Sequence, residues 1–403
     1  MITRSAYFQR LRAFVDKPQI KILMGIRRSG KSTALLLLKE ELLSRGVEFD
    51  QIIHINLESF TFSNLRVAAH FYTYVTKRIQ KGKKTYLLLE EIQEVEQWEK
   101  AVNSMLVDFN VDIYLTGSNS HLLSSELATY LAGRYVEIAV YTLSFAEYLQ
   151  FRATYFPDDK PDNKTAFMSY LRLGGFPVLH TADYSVETAY KVVYDIYSSV
   201  ILRDTVQRYK IRDVELLERI VKYAFDNIGN TFSRKNVADY FKSQQRKIDL
   251  NTVYNYLNAL EGAFILYRAS RYDIKGRNPE NSREILFERH GIAVCHYGLS
   301  GQNDFRDLEN IVFLELKRRG YTVFVGKYLD KEIDFMAEKQ GKKIYVQVAY
   351  KLESKQTIDF EFSTLLTIQD QFLKFVVTLD DFWKESVEGV QHFHISDFLL
   401  HPF

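Results

Sequence analysis

The 403-residue chain has one cysteine, Cys295, six prolines and two tryptophans. A single cysteine excludes an intrachain disulfide framework and suits a reducing cytoplasm. Few prolines and no low-complexity tract argue against long disordered linkers. No run of about 18 apolar residues occurs, so no membrane-spanning helix and no membrane partner is expected. The opening stretch, "MITRSAYFQRLRAF", lacks an apolar core. No secretory signal is expected there, and the location expected is cytoplasmic. A net charge of +2 gives no global case for a polyanionic partner. Any nucleic-acid surface has to be a local patch. What the chain does have is 46% apolar residues, ordinary for a well-cored protein, over a length that predicts two to four domains.

Residues 1 to about 150 alternate short apolar runs with helical patterns. "QIKILMG" (19–25), "QIIHINLE" (51–58), "TYLLLEE" (85–91), "VDIYLTG" (111–117) and "RYVEIAVYTL" (134–143) read as strands. "STALLLLKEELLSRG" (32–46) reads as a helix ended by Gly46. The alternation predicts an α/β fold, a parallel sheet with helices on both faces. Residues 151–190 read as a helical lid, broken at "LRLGGFPVL" (171–179) by two glycines and a proline. Residues 191–290 show three helical patterns and then an alternating hairpin, "AFILYRASRYDIKG" (263–276), which is a winged-helix pattern. The third of those helices starts with Asp249 as its expected N-cap. Residues 291–403 predict a third core, one helix on a mostly β unit.

Gly25-Ile26-Arg27-Arg28-Ser29-Gly30-Lys31-Ser32 fits G-x-x-x-x-G-K-[ST], and it lies between a strand and an apolar helix, as that motif requires. Gly25 and Gly30 allow the tight turn. Backbone amides from Arg28 to Thr33, Ser29 included, are placed to face phosphate. Lys31 supplies a point charge to the β/γ-phosphates, and Ser32 is an expected Mg²⁺ ligand. "YLLLEEIQE" ends a buried strand in acids. Glu90 is expected to hold Mg²⁺ and its water shell, and Glu91 to orient the attacking water. The next strand ends in "LTGSNS", which offers Ser118 or Asn119 to the γ-phosphate or the water. Arg27, Arg28 and Arg134 are candidates for the extra positive charge, Arg134 either in cis or from a neighbouring copy.

"GIRRSGKS", "LLLEEIQEVEQWE", "LTGSNSHLL", "LAGRY", "LSFAEYL", "LGGFP", "ILRDTVQRYKI", "TVYNYLNALEGAFIL" and "EIDFMAEKQGKKIYVQVAY" occur in this order. The set resembles a bacterial and archaeal family of AAA+-like P-loop ATPases with a C-terminal domain of unknown function. The resemblance covers essentially the whole chain. It implies an ATP- and Mg²⁺-dependent core, a winged helix and a C-terminal domain similar to restriction endonucleases. It also implies that Pro177 of the Gly174–Pro177 turn packs near the adenine. The family usually has Asp-Glu where this chain has Glu90-Glu91, and it often carries an Asp within the segment matching "LFERHGI" (286–292), where this chain has Arg289 and His290.

Restriction-like nucleases pair an Asp and a Glu with a nearby lysine. The candidates are Glu315, Asp334 and Gln347, with Ala349 at the lysine position and Lys351 about 6–7 Å further along the strand. An inactive nuclease fold is therefore expected. The hairpin carries Arg268, Arg271, Lys275 and Arg277 among tyrosines, with "KSQQRK" (242–247) nearby, which suits contact with duplex DNA. The expected activity is ATP hydrolysis driving domain rearrangement. The alternatives are a slow nucleotide-gated switch on DNA and an ATP-dependent nuclease, with oligomerisation open.

Overall fold

A computed structural model describes residues 2–120, 131, 133–227, 234–243, 248–275, 279–287, 304–352, 355–380 and 386–403. Arg277, Arg289, His290, Cys295 and residues 244–247 lie outside the described residues. The chain divides into two compact units. The first is Met1–Thr142 with Gly262–Phe264; the second is Leu143–Glu261 with Ile265–Phe403.

In the first unit, α1 (Ser5–Ala13) precedes β1 (Ile20–Met24), and α2 (Lys31–Ser44) follows it. Then come β2 (Ile52–Asn56), α3 (Ala68–Thr76), β3 (Thr85–Glu90), α4 (Trp98–Asp108), β4 (Val111–Gly117) and β5 (Tyr135–Ala139). The strands form one sheet in the order β2-β3-β4-β1-β5, and every pairing is parallel. Parallel neighbours need crossovers, and the helices that make them bury both sheet faces. That is why β1 and β3 are mostly apolar and buried at every position. Leu35, Leu38 and Leu42 of α2 and Tyr7 and Leu11 of α1 pack with Leu23, Leu88, Tyr114 and Ile138 on one face. On the other side α4 meets β4 and α3 packs along α4.

One residue breaks the apolar rule in β1. Lys21 is fully buried and pairs with Asp112 of β4. The Asp112 carboxylate also accepts from the Tyr114 hydroxyl at 3.0 Å and the Asp16 amide at 2.8 Å. Burial drives the Lys21 pKa down, and Asp112 opposes that. This knot ties β1 to β4 and to the loop after α1.

In the second unit, α5 (Phe145–Tyr155), α6 (Asn163–Leu173) and α7 (Val186–Ser199) come first, and α7 continues into a π-helix, Val200–Gln207. Helix α5 starts where the sequence S-F-A-E closes a capping box. Ser144 Oγ accepts from the Glu147 amide at 3.2 Å, and Glu147 accepts from the Ser144 amide at 2.9 Å. Helices α8 (Val214–Asp226), α9 (Arg234–Ser243) and α10 (Leu250–Gly262) follow, the last with Asp249 accepting from the Asn251 amide. The remaining elements are β6 (Leu266–Asp273), β7 (Pro279–Phe287), α11 (Asp304–Arg318), β8 (Thr322–Tyr328), β9 (Lys331–Lys339), β10 (Lys342–Val348), α12 (Lys355–Thr367), β11 (Leu373–Thr378), β12 (Ser386–Val387), β13 (Val390–His394) and α13 (Ile395–Leu400).

Three helices, α8 to α10, precede β6, but residues 263–276, expected to form the hairpin, hold only one strand, and its antiparallel partner is β7 at Pro279–Phe287. The hairpin does not stand alone, however. β6 pairs antiparallel with β7 on one side and parallel with β8 on the other. One mixed sheet therefore runs β12-β13-β11-β10-β9-β8-β6-β7. Sequence patterning gives strand content but not which edge a hairpin joins.

The Gly174–Pro177 turn is held inside this unit. Gly174, at φ 78°, ends α6. Its carbonyl accepts from His180 Nε2 at 2.7 Å, and the Gly175 carbonyl accepts from the Leu143 amide at 2.7 Å. His180 is fully buried, edge-on to Tyr148, and burial pushes it down to about 4.

Burial acts the other way on Glu361 of α12. It pushes that carboxyl up to about 7, against a hydrogen bond with Gln347. Glu361 Oε2 is buried without a hydrogen-bond partner. A carboxyl raised in the folded state favours folding below its unfolded pKa, and the benefit is lost as pH rises toward about 7. The difference corresponds to about 3 kcal/mol. Glu361→Gln should therefore melt like the wild type at pH 4 and be the more stable protein at pH 8. Equal melting curves for the two proteins at both pH values would remove the burial cost assigned to Glu361.

Candidate nucleotide site

The loop after β1 takes its shape from two close approaches. A Cβ on Gly25 would lie 2.0 Å from the Val140 carbonyl oxygen, because the chain after β5 hydrogen-bonds back to Met24. Only glycine fits there. Arg28 and Gly30 both have positive φ, 67° and 100°, which curls the loop before α2 begins. Helix α2 has no side-chain N-cap, and a helix start of that kind is suited to an anion. The Lys31 side chain bends into the curl, its Nζ donating to the carbonyls of Gly25 at 2.8 Å and Ile26 at 3.0 Å. Ser29 is buried; Ser32 and Thr33 are exposed at the start of α2.

The acids expected to act stand at the end of β3. Glu90 is only 3% exposed. One carboxylate oxygen, Oε1, is 2.7 Å from His54 Nε2 on β2, and Ser32 also bonds to this carboxylate. The other oxygen, Oε2, is buried without a hydrogen-bond partner. Burial alone would raise the Glu90 pKa; the bonds from His54 and Ser32 outweigh it and hold the carboxyl below its usual value. Glu91 follows in a left-handed conformation, φ 52°, which costs a non-glycine residue on the order of 1 kcal/mol. Its amide donates to Thr116 Oγ1 of β4 at 3.1 Å, and its carboxylate accepts from Gln93. Thr116 thus fixes the turn that aims Glu91 away from the strand direction.

The sheet order brings these groups together. β4 lies between β1 and β3, with Gly117 opposite Met24. The buried Ser118 and Asn119 therefore emerge between the phosphate loop and the acids. Of the arginines, Arg28 is exposed on the loop, and Arg27 is bound to Glu58 at 3.1 Å. The cis role expected of Arg134 is not supported. Its carbonyl pairs with the Ile20 amide at the opposite end of β1, roughly 13–17 Å along the strand from the loop, and its side chain reaches Asn103. Pro177 belongs to the second unit and opens the short turn Pro177–His180.

Sequence reading missed four participants: His54, Thr116, Gln93 and Arg4. His54 and Arg4 lie outside the chemical motifs, while Gln93 and Thr116 lie inside "YLLLEEIQE" and "LTGSNS" with no role marked by their residue type. Arg4, just before α1, donates to the Ser29 carbonyl at 2.7 Å and the Thr142 carbonyl at 3.0 Å, with its guanidinium over the Tyr7 ring. It holds the carbonyl of the Ser29–Gly30 peptide, while the Ser29 amide donates to the Ile26 carbonyl at 3.3 Å. Charged hydrogen bonds of this kind contribute about 1.5–3 kcal/mol each. Arg4→Met should weaken nucleotide binding about tenfold, read by titration of a fluorescent ATP analogue; wild-type affinity in that variant would show that the loop keeps its shape unaided.

The nuclease-like candidates do not converge. Glu315 of α11 pairs with Arg319 at 2.8 Å and with Arg318 at 3.6 Å. Asp334 and Gln347 do lie together on β9 and β10: the Asp334 amide donates to Gln347 at 3.4 Å, and Asp334 Oδ2 accepts from the Val348 amide at 2.7 Å. Ala349 is packed in the core, and Lys351 is exposed. No group of three or more His, Cys, Asp or Glu able to hold a metal occurs among the described residues. On the hairpin, Arg268 is paired with Glu261 at 2.8 Å and Arg271 with Glu332 at 2.7 Å. No helix among the described residues is long and apolar enough to cross a membrane.

Comparison with known proteins agrees with this geometry. Residues 17–149 match a family model described as an AAA domain. Residues 164–303 match a domain of unknown function (DUF8612). An uncharacterized protein of Haemophilus influenzae is 36% identical over 403 residues, covering 99% of each chain. Uncharacterized protein MJ1544 of Methanocaldococcus jannaschii is 28% identical, over 83% of this chain and 75% of its own. Among solved structures, the fold is similar to the Walker-type ATPase PABY2304 of Pyrococcus abyssi, with a TM-score of 0.50 and 16% identity over 73% of this chain and 95% of that one. The α/β fold, the phosphate loop and the matched domain make this an AAA-type P-loop ATPase fold, and the chain belongs to the same family as the Haemophilus influenzae protein.

Proposed function

We propose that this protein binds Mg²⁺-ATP in the loop Gly25–Thr33, hydrolyses the γ-phosphate, and uses the cycle to drive rearrangement of its own domains. The observation that carries the reading is the buried Glu90 oxygen Oε2, free of any hydrogen bond, on a carboxylate that Ser32 also reaches, with Lys31 bent into the loop above. A buried carboxylate oxygen without a partner fits a divalent cation. Ser32 and Glu90 would hold Mg²⁺, which when bound neutralises phosphate charge. Lys31 shifts from the loop carbonyls to the β/γ-phosphate oxygens. Amides from Arg28 to Thr33 donate to the phosphates. Glu91 takes the proton of the attacking water, and Ser118 or Asn119 holds that water or the γ-phosphate. Arg28 adds charge from the loop, and Arg134 can act only from a second copy.

The lid, winged-helix and nuclease-like assignments for 151–190, 191–290 and 291–403 remain our reading of the second unit. No nuclease chemistry is proposed there, because Glu315 is held by two arginines and Ala349 replaces the lysine. Duplex DNA as a partner would require the Arg268 and Arg271 ion pairs to open, so it is not the primary reading. The test is phosphate release by the full chain with ATP and Mg²⁺, and with EDTA in place of Mg²⁺. Phosphate should appear only with the cation. No phosphate release with Mg²⁺, or equal release with EDTA, would sink the proposal.

A further inference from the structure

We infer that His54 is a positioning residue that adapts the cation site to glutamate at position 90. The inference rests on the nucleotide reading above. Glutamate is one methylene longer than aspartate, and a carboxylate on that longer stem needs something to stop it wandering. In the register of β2 and β3, Asn56 lies opposite Glu90 and His54 opposite Leu88. Positions 54, 56, 88 and 90 alternate onto one face of the sheet. His54 is therefore the diagonal neighbour of Glu90, one step back along the next strand. The longer side chain spans that diagonal, and its Oε1 lies 2.7 Å from His54 Nε2. A carboxylate can only accept, so the imidazole carries its hydrogen on Nε2 and donates.

The bond divides the two oxygens. Oε1 is spent on His54, and Oε2 is left buried and unpartnered. An oxygen already aimed at a cation loses less freedom on ligating it, and it cannot swing away to water. Aspartate here would end about 1.5 Å short. The distance to His54 would then exceed 3.5 Å, too long for a hydrogen bond. Glu90 and His54 thus act as a matched pair. An aspartate at 90 would be the poorer residue in this chain.

The test uses Mn²⁺ as the cation, titrated by electron paramagnetic resonance into the full chain saturated with a non-hydrolysable ATP analogue. Nucleotide affinity is measured separately in EDTA. His54→Ala should weaken Mn²⁺ about 10- to 100-fold, the usual cost of losing a group that orients a metal ligand. Nucleotide affinity in EDTA should not change. His54→Gln places an amide N–H near the position of Nε2 and should recover most of the loss. In a Glu90→Asp background, which should itself bind Mn²⁺ more weakly, His54→Ala should matter less than about twofold. Unchanged Mn²⁺ binding in His54→Ala, with nucleotide still bound, overturns the positioning role alone; so does an equal loss in both backgrounds. A wild type that binds no nucleotide with or without the cation overturns the site itself. Should His54→Ala fail to fold, the comparison of His54→Gln with and without Glu90→Asp decides by the same criterion.

Discussion

Glu91→Gln should bind ATP as tightly as the wild type and hydrolyse it about 10²- to 10⁴-fold more slowly. The amide keeps the size of the side chain and its bond with Gln93, but it cannot take a proton from water. The backbone at Glu91 should be undisturbed, since its left-handed turn is held by the amide bond to Thr116 and not by the carboxylate. Nucleotide titration and single-turnover phosphate release separate the two properties. Loss of binding together with hydrolysis would mean that Glu91 shapes the site instead of acting in it. Hydrolysis at the wild-type rate would assign the base to another group near the γ-phosphate.

Lys31→Ala should lower ATP affinity at least tenfold. Lys31 is 5% exposed, and its ammonium donates inside the loop to two carbonyls. Moving it to phosphate exchanges neutral acceptors for charged ones in a partly dehydrated place. Such bonds are worth about 1.5–3 kcal/mol each, and 1.4 kcal/mol is a factor of ten. Equilibrium titration with a labelled nucleotide reads the loss directly. The loop itself should keep its fold in the variant, because the Gly25–Val140 approach and the Arg4 bonds do not involve Lys31. Unchanged affinity would remove residues 25–33 from the nucleotide site.

Much of the first unit was legible before any coordinates. The strand at 111–117 has the bounds expected, and those at 19–25, 51–58, 85–91 and 134–143 differ only at their ends. Apolar runs bounded by polar turns identify strands buried on two faces. Less was legible in the second unit. β7, α12 and the last three elements carry no strong periodicity or turn signal, and the hairpin's union with β8 is a pairing across about fifty residues. The basic hairpin looked freer in sequence than it is, because its partners Glu261 and Glu332 lie outside it.

The phosphate loop was determined by sequence alone, because its chemistry is contiguous: eight consecutive residues supply the turn, the amides, the lysine and the hydroxyl. The acids were legible for the same reason, sitting at the end of one apolar strand. Only the tertiary structure decided which distant residues stand beside them. Strand order put β4 between loop and acids and sent Arg134 to the far end of β1. Parallel register put His54 within reach of Glu90. The fold of the segment before α1 put Arg4 against Ser29. A hydrogen bond between residues 25 or 36 positions apart leaves no local pattern; it exists only once the sheet has closed.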